Sequence, residues 1–347
     1  MFFIAFTIVT LLFQFQFLPD AFAAAPKKSS RETHKLVGAS THTRLHMVSA
    51  KGHSRLKGHK VARISRARSR ALAEERCEDS PVSYQGDFGV STKAALVLDM
   101  ENGQVLYAQD ADTPIAPASL TKILTLYLIN EHLRDGSLKL DTLIPVSFEA
   151  SHAGGSNMCL RAGEMVSVME LIKGIAVASA NDGCMAMAEY LGNGDPHLFV
   201  EAMNRKAQEL GMTNTHFFNP NGLPVDEQVT TARDMATLAR AYLTQFPQML
   251  AIHSMTEFAH NNRMRHNANS LLGKVEGVDG LKTGFVCSSG FNIVVTAKRN
   301  ATRLVAVVLG ARSHIIRERE ATRLVEEGFK IVAAENAQAG KPVAMAR

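Results

Sequence analysis

Ser119 and Lys122 stand three residues apart in "PIAPASLTKILTLYLIN". Three residues is close to one turn of helix, so the two side chains fall on the same face. A serine hydroxyl is inert at neutral pH and becomes a nucleophile only beside a base. Lysine can be that base only when neutral, and two forces lower its pKa: burial, and a second ammonium nearby. One Ser-x-x-Lys pair carries little information, since a second copy, Ser54 to Lys57, lies in a polar basic stretch. Two further signals follow in order. Ser179-Ala180-Asn181 is the only Ser-x-Asn in the chain, and Lys282-Thr283-Gly284 the only Lys-Thr-Gly. They lie 60 and then 103 residues downstream of the serine before them. Three such signals in one order outweigh any single match. Ser119 is the expected nucleophile, Lys122 its base, and Lys282 the second ammonium. Read alone, Lys122 would be a surface residue laying its stem over apolar neighbours.

The elements that must position these residues are legible from periodicity and punctuation. "KAALVLDMENGQVLYAQD" is two apolar runs around Asn102-Gly103, a hairpin signal in which both turn residues take positive φ. Ser119 opens a helix that runs to about Arg134, with Gly136 as its stop. Ser167 and Glu170 form a capping box, and Asp195 caps a helix with Pro196 at its first position. "TTARDMATLARAYL" is a further helix; "GFNIVVTAKR" and "RLVAVVLGA" are strands; a last helix spans about Ile316 to Ala334. Strands at both ends and helices between them predict an α/β (α+β) fold. In it, an antiparallel sheet is flanked by helices, with an all-helical lobe inserted.

The chain has 347 residues, 46% of them apolar. Residues 1–18 carry no charged side chain, and Ala21-Phe22-Ala23 has the form of a signal-peptide cleavage site. Export follows, to a periplasm or the outer face of the cytoplasmic membrane. With no Lys or Arg before the apolar run, an uncleaved anchor is the alternative. Residues 27–76 hold 14 Lys/Arg against 3 Asp/Glu, five histidines and no aromatic residue. Such a segment buries no core, so 24–85 reads as a disordered basic linker. It is either a spacer or an adhesive for an anionic envelope surface; nucleic acid is not an expected partner of an exported chain. The folded domain is expected over 86–336, with a tail over 337–347. Cys77, Cys159, Cys184 and Cys287 are too few for a disulfide scaffold, and Cys184 and Cys287 lie in apolar stretches that suggest buried thiols. No Cys/His spacing suggests a metal site, and no cofactor is implied.

From about Thr92 to Val332 the chain resembles the penicillin-recognising serine peptidases, and among them the D-alanyl-D-alanine carboxypeptidases. "PASLTK", "SANDxC", "FxNPxGL", "TxARDMAxLA", "NxNxLL", "VDGLKTG" and "REREATRLVEEGF" carry the likeness. The resemblance implies the β-lactamase/DD-peptidase-like fold and an acyl-serine route for removing the terminal D-alanine of peptidoglycan stem peptides, with β-lactams as acylating inhibitors. It implies that Ser179 passes a proton to the leaving amine, and that Asn181 holds the substrate amide and Lys122. Lys282, Thr283 and Arg317 would meet the substrate carboxylate. Gly284 would let a peptide add to the strand edge, and the N–H groups of Ser119 and Phe285 would form the oxyanion hole. As an alternative, Arg317 is one charge of an exposed helix. Many relatives continue into a β-rich domain and an amphipathic helix; with fifteen residues after Val332, neither is expected.

A DD-endopeptidase of the same fold is the runner-up. A β-lactamase is disfavoured because no Glu-x-x-Leu-Asn lies between Ser179 and Lys282. A non-catalytic wall-binding protein would have no use for an intact Ser119-Lys122 pair. Deleting 27–76 is expected to leave acylation rates unchanged and to weaken binding to anionic wall or membrane preparations. That binding should fall steeply with salt, since exposed charges are screened over ~8 Å at physiological ionic strength. Salt-insensitive binding in a sedimentation assay would refute the adhesive role.

Overall fold

The structure, a computed structural model, describes residues 89–339. The apolar leader, the basic segment and most of the C-terminal tail lie outside the described residues. A five-stranded sheet runs in the order β2-β1-β9-β8-β7, every neighbour antiparallel. Its members are β1 (Ala94–Asp99), β2 (Val105–Gln109), β7 (Val278–Val286), β8 (Gly290–Arg299) and β9 (Thr302–Ala311). Among the described residues the first strand thus pairs with the last one, Leu98 opposite Val305.

Successive side chains of a strand serve opposite faces. Leu96 and Leu98 of β1, with Val305, Val307 and Leu309 of β9, join the core of the helical lobe. Ala95, Val97, Ala306 and Val308 pack instead with Ala321, Leu324 and Val325 of the last helix, α8 (His314–Ala339). That helix starts two residues earlier and ends five later than periodicity suggested, and its first turn carries Arg317.

The lobe between β2 and β7 contains α1 (Lys122–Arg134), α2 (Phe148–Ser151), α3 (Val168–Val177), α4 (Asn181–Leu191), α5 (Pro196–Glu209), α6 (Ala232–Gln245) and α7 (Leu250–His253). The caps read from sequence are formed. Ser167 Oγ accepts from Glu170 N at 3.3 Å and Asp195 Oδ1 from His197 N at 2.9 Å. Helix α1 is buried continuously from Lys122 to Asn130, so it is the axis of the lobe rather than one of its faces. Two small two-stranded sheets went unread: β3 (Leu143–Pro145) with β4 (Met165–Ser167), whose connection contains α2, and the hairpin of β5 (Glu257–His260) with β6 (Arg263–His266). Among the described residues, no helix is long and apolar enough to cross a membrane.

Two expectations need correction. Only Gly103 of the Asn102-Gly103 pair has positive φ. The β1–β2 connection is a longer loop, in which Asp99 Oδ1 and Asn102 Oδ1 accept from Glu101 N and Gln104 N, each at 2.8 Å. Cys287 is exposed in the β7–β8 turn, because the apolar run ends with the strand; Cys184 is buried as expected.

Asn292 ties the sheet to the segment that precedes Ser119. Fully buried on β8, it accepts from Gly310 N at 2.8 Å and donates to Ala116 O at 3.3 Å and Ser289 Oγ at 3.0 Å. Asn292→Ala is expected to cost about 1–3 kcal/mol for each buried group left without a partner. Urea unfolding should therefore show a lower midpoint with an unchanged slope.

Candidate active site

Residues Ala118–Thr121 form a single 3-10 turn that leads directly into α1. Ala118 sits at φ 49, a left-handed conformation that side chains rarely adopt, and Ser119 follows it. Strain of that kind persists only where surroundings enforce it. Here two glycines press on the turn. A Cβ on Gly222 would lie 1.8 Å from Ala118 O, and one on Gly284 would lie 3.1 Å from Ala118 Cβ and from Ser119 N. Gly284 therefore makes room for the turn that carries Ser119, a tighter requirement than the strand-edge access inferred from sequence.

Lys122 is 0% exposed, so it is no snorkelling surface residue. Its Nζ donates to Ser119 Oγ at 2.8 Å and to the carbonyl of Asn221. Burial pushes the ammonium down to about 8, while the Asp182 carboxylate pulls the other way. The neighbouring Cys184 thiol, driven up to about 12 by burial, stays neutral. A neutral Lys122 can keep its N–H on Asn221 O and turn its lone pair toward the Ser119 hydroxyl. That is the arrangement a general base needs.

A cleft of about 810 Å³ opens over this pair, and Ser119, Ser179, Thr283, Gly284, Phe285 and Arg317 are on its wall. Lys122, Asn181 and Lys282 are buried. Ser179 is at φ 57, a second left-handed residue at the site, just before α4 begins. Asn181 differs from expectation. It is the first residue of α4 and turns its amide to the neighbouring loop, donating to Gly154 O at 2.6 Å. No hydrogen bond joins it to Lys122, and its Oδ1 is buried without a partner. Arg317 is 5% exposed and lines the cleft, which removes the reading of an exposed helix charge.

Three basic side chains thus share one site. Burial is the largest cause at Lys282 too, and the charges of Lys122 and Arg317 add to it, so its ammonium is lowered well below the usual lysine range. The expected repulsion between the two lysines is felt at Lys282, whereas Lys122 is governed by burial. Behind β7, His253 is pushed down to about 3 by burial and by Lys282. It is neutral, giving Nδ1–H to Leu281 O at 3.1 Å and accepting from the Tyr242 hydroxyl at 3.1 Å. Sequence reasoning missed His253, Asp182 and the Asn221 carbonyl. The first two look like ordinary core polar residues, and a backbone carbonyl has no sequence signature.

The profile of the D-alanyl-D-alanine carboxypeptidase family (peptidase S11) matches residues 81–313. The chain belongs to this family. D-alanyl-D-alanine carboxypeptidase DacC of Escherichia coli is 38% identical over 267 residues, 75% of this chain. The chain spans 65% of that relative's length. Among solved structures, penicillin-binding protein 6B of Escherichia coli is similar at TM-score 0.67 and 35% identity, covering 73% of this chain and 81% of that one. Penicillin-binding protein D2 of Listeria monocytogenes, in its ampicillin-bound form, is similar at TM-score 0.61 and 31% identity, covering 69% and 98%. The family fold is the antiparallel sheet with an inserted helical lobe described above.

If neutral Lys122 is the base, acylation must speed up as its proton leaves. With a value of about 8, roughly a tenth is neutral at pH 7. The acylation rate is expected to rise about tenfold per unit below pH 8 and to level off above it. Stopped-flow rates of penicillin adduct formation between pH 6 and 9 test this; a flat profile would exclude Lys122 as the titrating base.

Proposed function

We propose that the protein is a serine-type D-alanyl-D-alanine carboxypeptidase that removes the terminal D-alanine of peptidoglycan stem peptides. One observation carries the reading: a fully buried lysine, lowered to about 8, has its amine 2.8 Å from the hydroxyl of Ser119 at the mouth of a cleft. Neutral Lys122 takes the Ser119 proton as Oγ bonds to the penultimate D-alanine carbonyl carbon. The oxyanion is met by the N–H groups of Ser119 and Phe285. Ser179 passes a proton to the departing amine as the C–N bond breaks, and water then cleaves the ester. Asn181 contacts the substrate amide.

The cleft's charge suits such a substrate. Lys282, Thr283 and Arg317 converge where a terminal carboxylate would sit. An anion there would raise the Lys282 pKa, which burial and the charges of Lys122 and Arg317 lower. Strand β7 is an edge of the sheet, so an extended peptide can lie along its outer side. β-Lactams, which mimic the scissile bond, would acylate the same serine; the ampicillin-bound relative supports this. The place of action is an exported one, a periplasm or the outer face of the cytoplasmic membrane, and the basic 27–76 segment is suited to hold an anionic envelope surface there.

Intact-protein mass spectrometry should show a single penicilloyl adduct that Ser119→Ala abolishes, and Lys122→Ala should slow its formation at least ~10²-fold. A charge-assisted hydrogen bond is worth ~1.5–3 kcal/mol, so Arg317→Ala should cut D-alanine release from pentapeptide roughly 10- to 150-fold. Acylation by a thioester with no such carboxylate should change far less. Cross-linked dimers split while pentapeptides stay whole would replace this function with a DD-endopeptidase.

A further inference from the structure

The loop from Gly154 to Leu160 grips Asn181 by both of its N–H groups. Gly154 O takes the side-chain amide at 2.6 Å, and Ser156 O takes the backbone N–H at 2.8 Å. From the helix side the loop is fixed by Asp182, whose carboxylate accepts from Met158 N at 3.1 Å and Leu160 N at 3.0 Å. On its other side stands the β5–β6 hairpin. Arg265 Nε donates to Asn157 O at 2.9 Å, and its Nη2 reaches Cys159 Sγ at 2.7 Å, while Arg263 Nη1 lies 3.2 Å from the same sulfur. Cys159 is held at φ 68, a conformation a non-glycine residue keeps only under constraint.

The hairpin is itself tethered to the far end of this segment. His260 contacts Glu164 at 3.2 Å and Glu170 at 3.4 Å, and Asn261 donates to Glu164 at 2.8 Å. His266, which ends β6, and the Asn267 and Ala268 that follow it form part of the cleft wall. One hairpin therefore joins that wall to the loop that aims Asn181.

We infer that the β5–β6 hairpin is a clamp on the 154–160 loop, and that Arg265 is a positioning residue acting on the substrate through Asn181. The inference rests on the role given above to Asn181. No signal in "NNRMRHNANS" marks Arg265, because its partners are a carbonyl and a sulfur on a distant loop.

A double-mutant cycle in the full chain separates the possibilities. Arg265→Ala is expected to slow pentapeptide turnover about tenfold, mainly in kcat, and to add nothing in an Asn181→Ala background. Arg265→Lys, which keeps the charge without the forked geometry, should fall between. Released from Arg265, Cys159 should be alkylated by maleimide several-fold faster relative to the exposed Cys287, an effect that loss of catalysis alone would not produce. Normal turnover in Arg265→Ala, losses that multiply in the double variant, or unchanged Cys159 labelling would each overturn the clamp. An Asn181→Ala enzyme as active as wild type would instead overturn the role of Asn181 and the inference with it. The labelling rate tells the two failures apart.

Discussion

An ammonium group is poorly tolerated where water cannot reach it, and Lys122 is placed where no part of it is exposed. The surrounding structure answers that constraint. A carbonyl from the Asn221 loop accepts one N–H, and the serine that opens the helix accepts another. The Asp182 carboxylate adds a favourable field that stops the pKa from falling further. The outcome is an amine lowered to about 8, which gives up its proton far more readily than an exposed lysine. Had Lys122 kept an ordinary value, the serine beside it would be an inert hydroxyl.

The same constraint sorts the groups around the cleft. Arg317 keeps its charge however it is buried, because guanidinium does not give up its proton in a protein. Lys282 can give up its proton, and it is the member of the trio on which burial and two like charges fall together. The site is thus permanently cationic at one point and adjustable at two. His253, behind β7, adds no charge of its own and serves to hold the Leu281 carbonyl.

Much of this was legible in the chain. The three short motifs name seven residues of the candidate site, because most of their chemistry depends on side-chain identity. Four strands of the sheet, the capped helices and, within a few residues at each end, the final helix follow from period and punctuation, whereas β7 was not read from pattern. What was not legible is of one kind. Asn221 acts through its carbonyl, Gly284 through the Cβ it lacks, and Asn181 through the direction its amide takes at a helix start. Arg265 grips backbone and sulfur from a hairpin too short and polar to announce itself. Each depends on a spatial neighbour distant in sequence, which pattern cannot supply.

The sheet order carries a consequence for how the molecule comes into being. β1 is made first and β9 last, yet they pair side by side, and β1 finds only β2 until the final strand is available. Long-range pairings of this sort are slow to form, because a large loop must close before any contact compensates for it. Ser119 is supplied by the earlier part of the described chain and the strand beside it by the later part. A chain still emerging end-first therefore holds a complete Ser119-Lys122 helix segment and no assembled cleft. The cleft wall that sets Ser119 beside Thr283 and Gly284 therefore exists only once the sheet has closed.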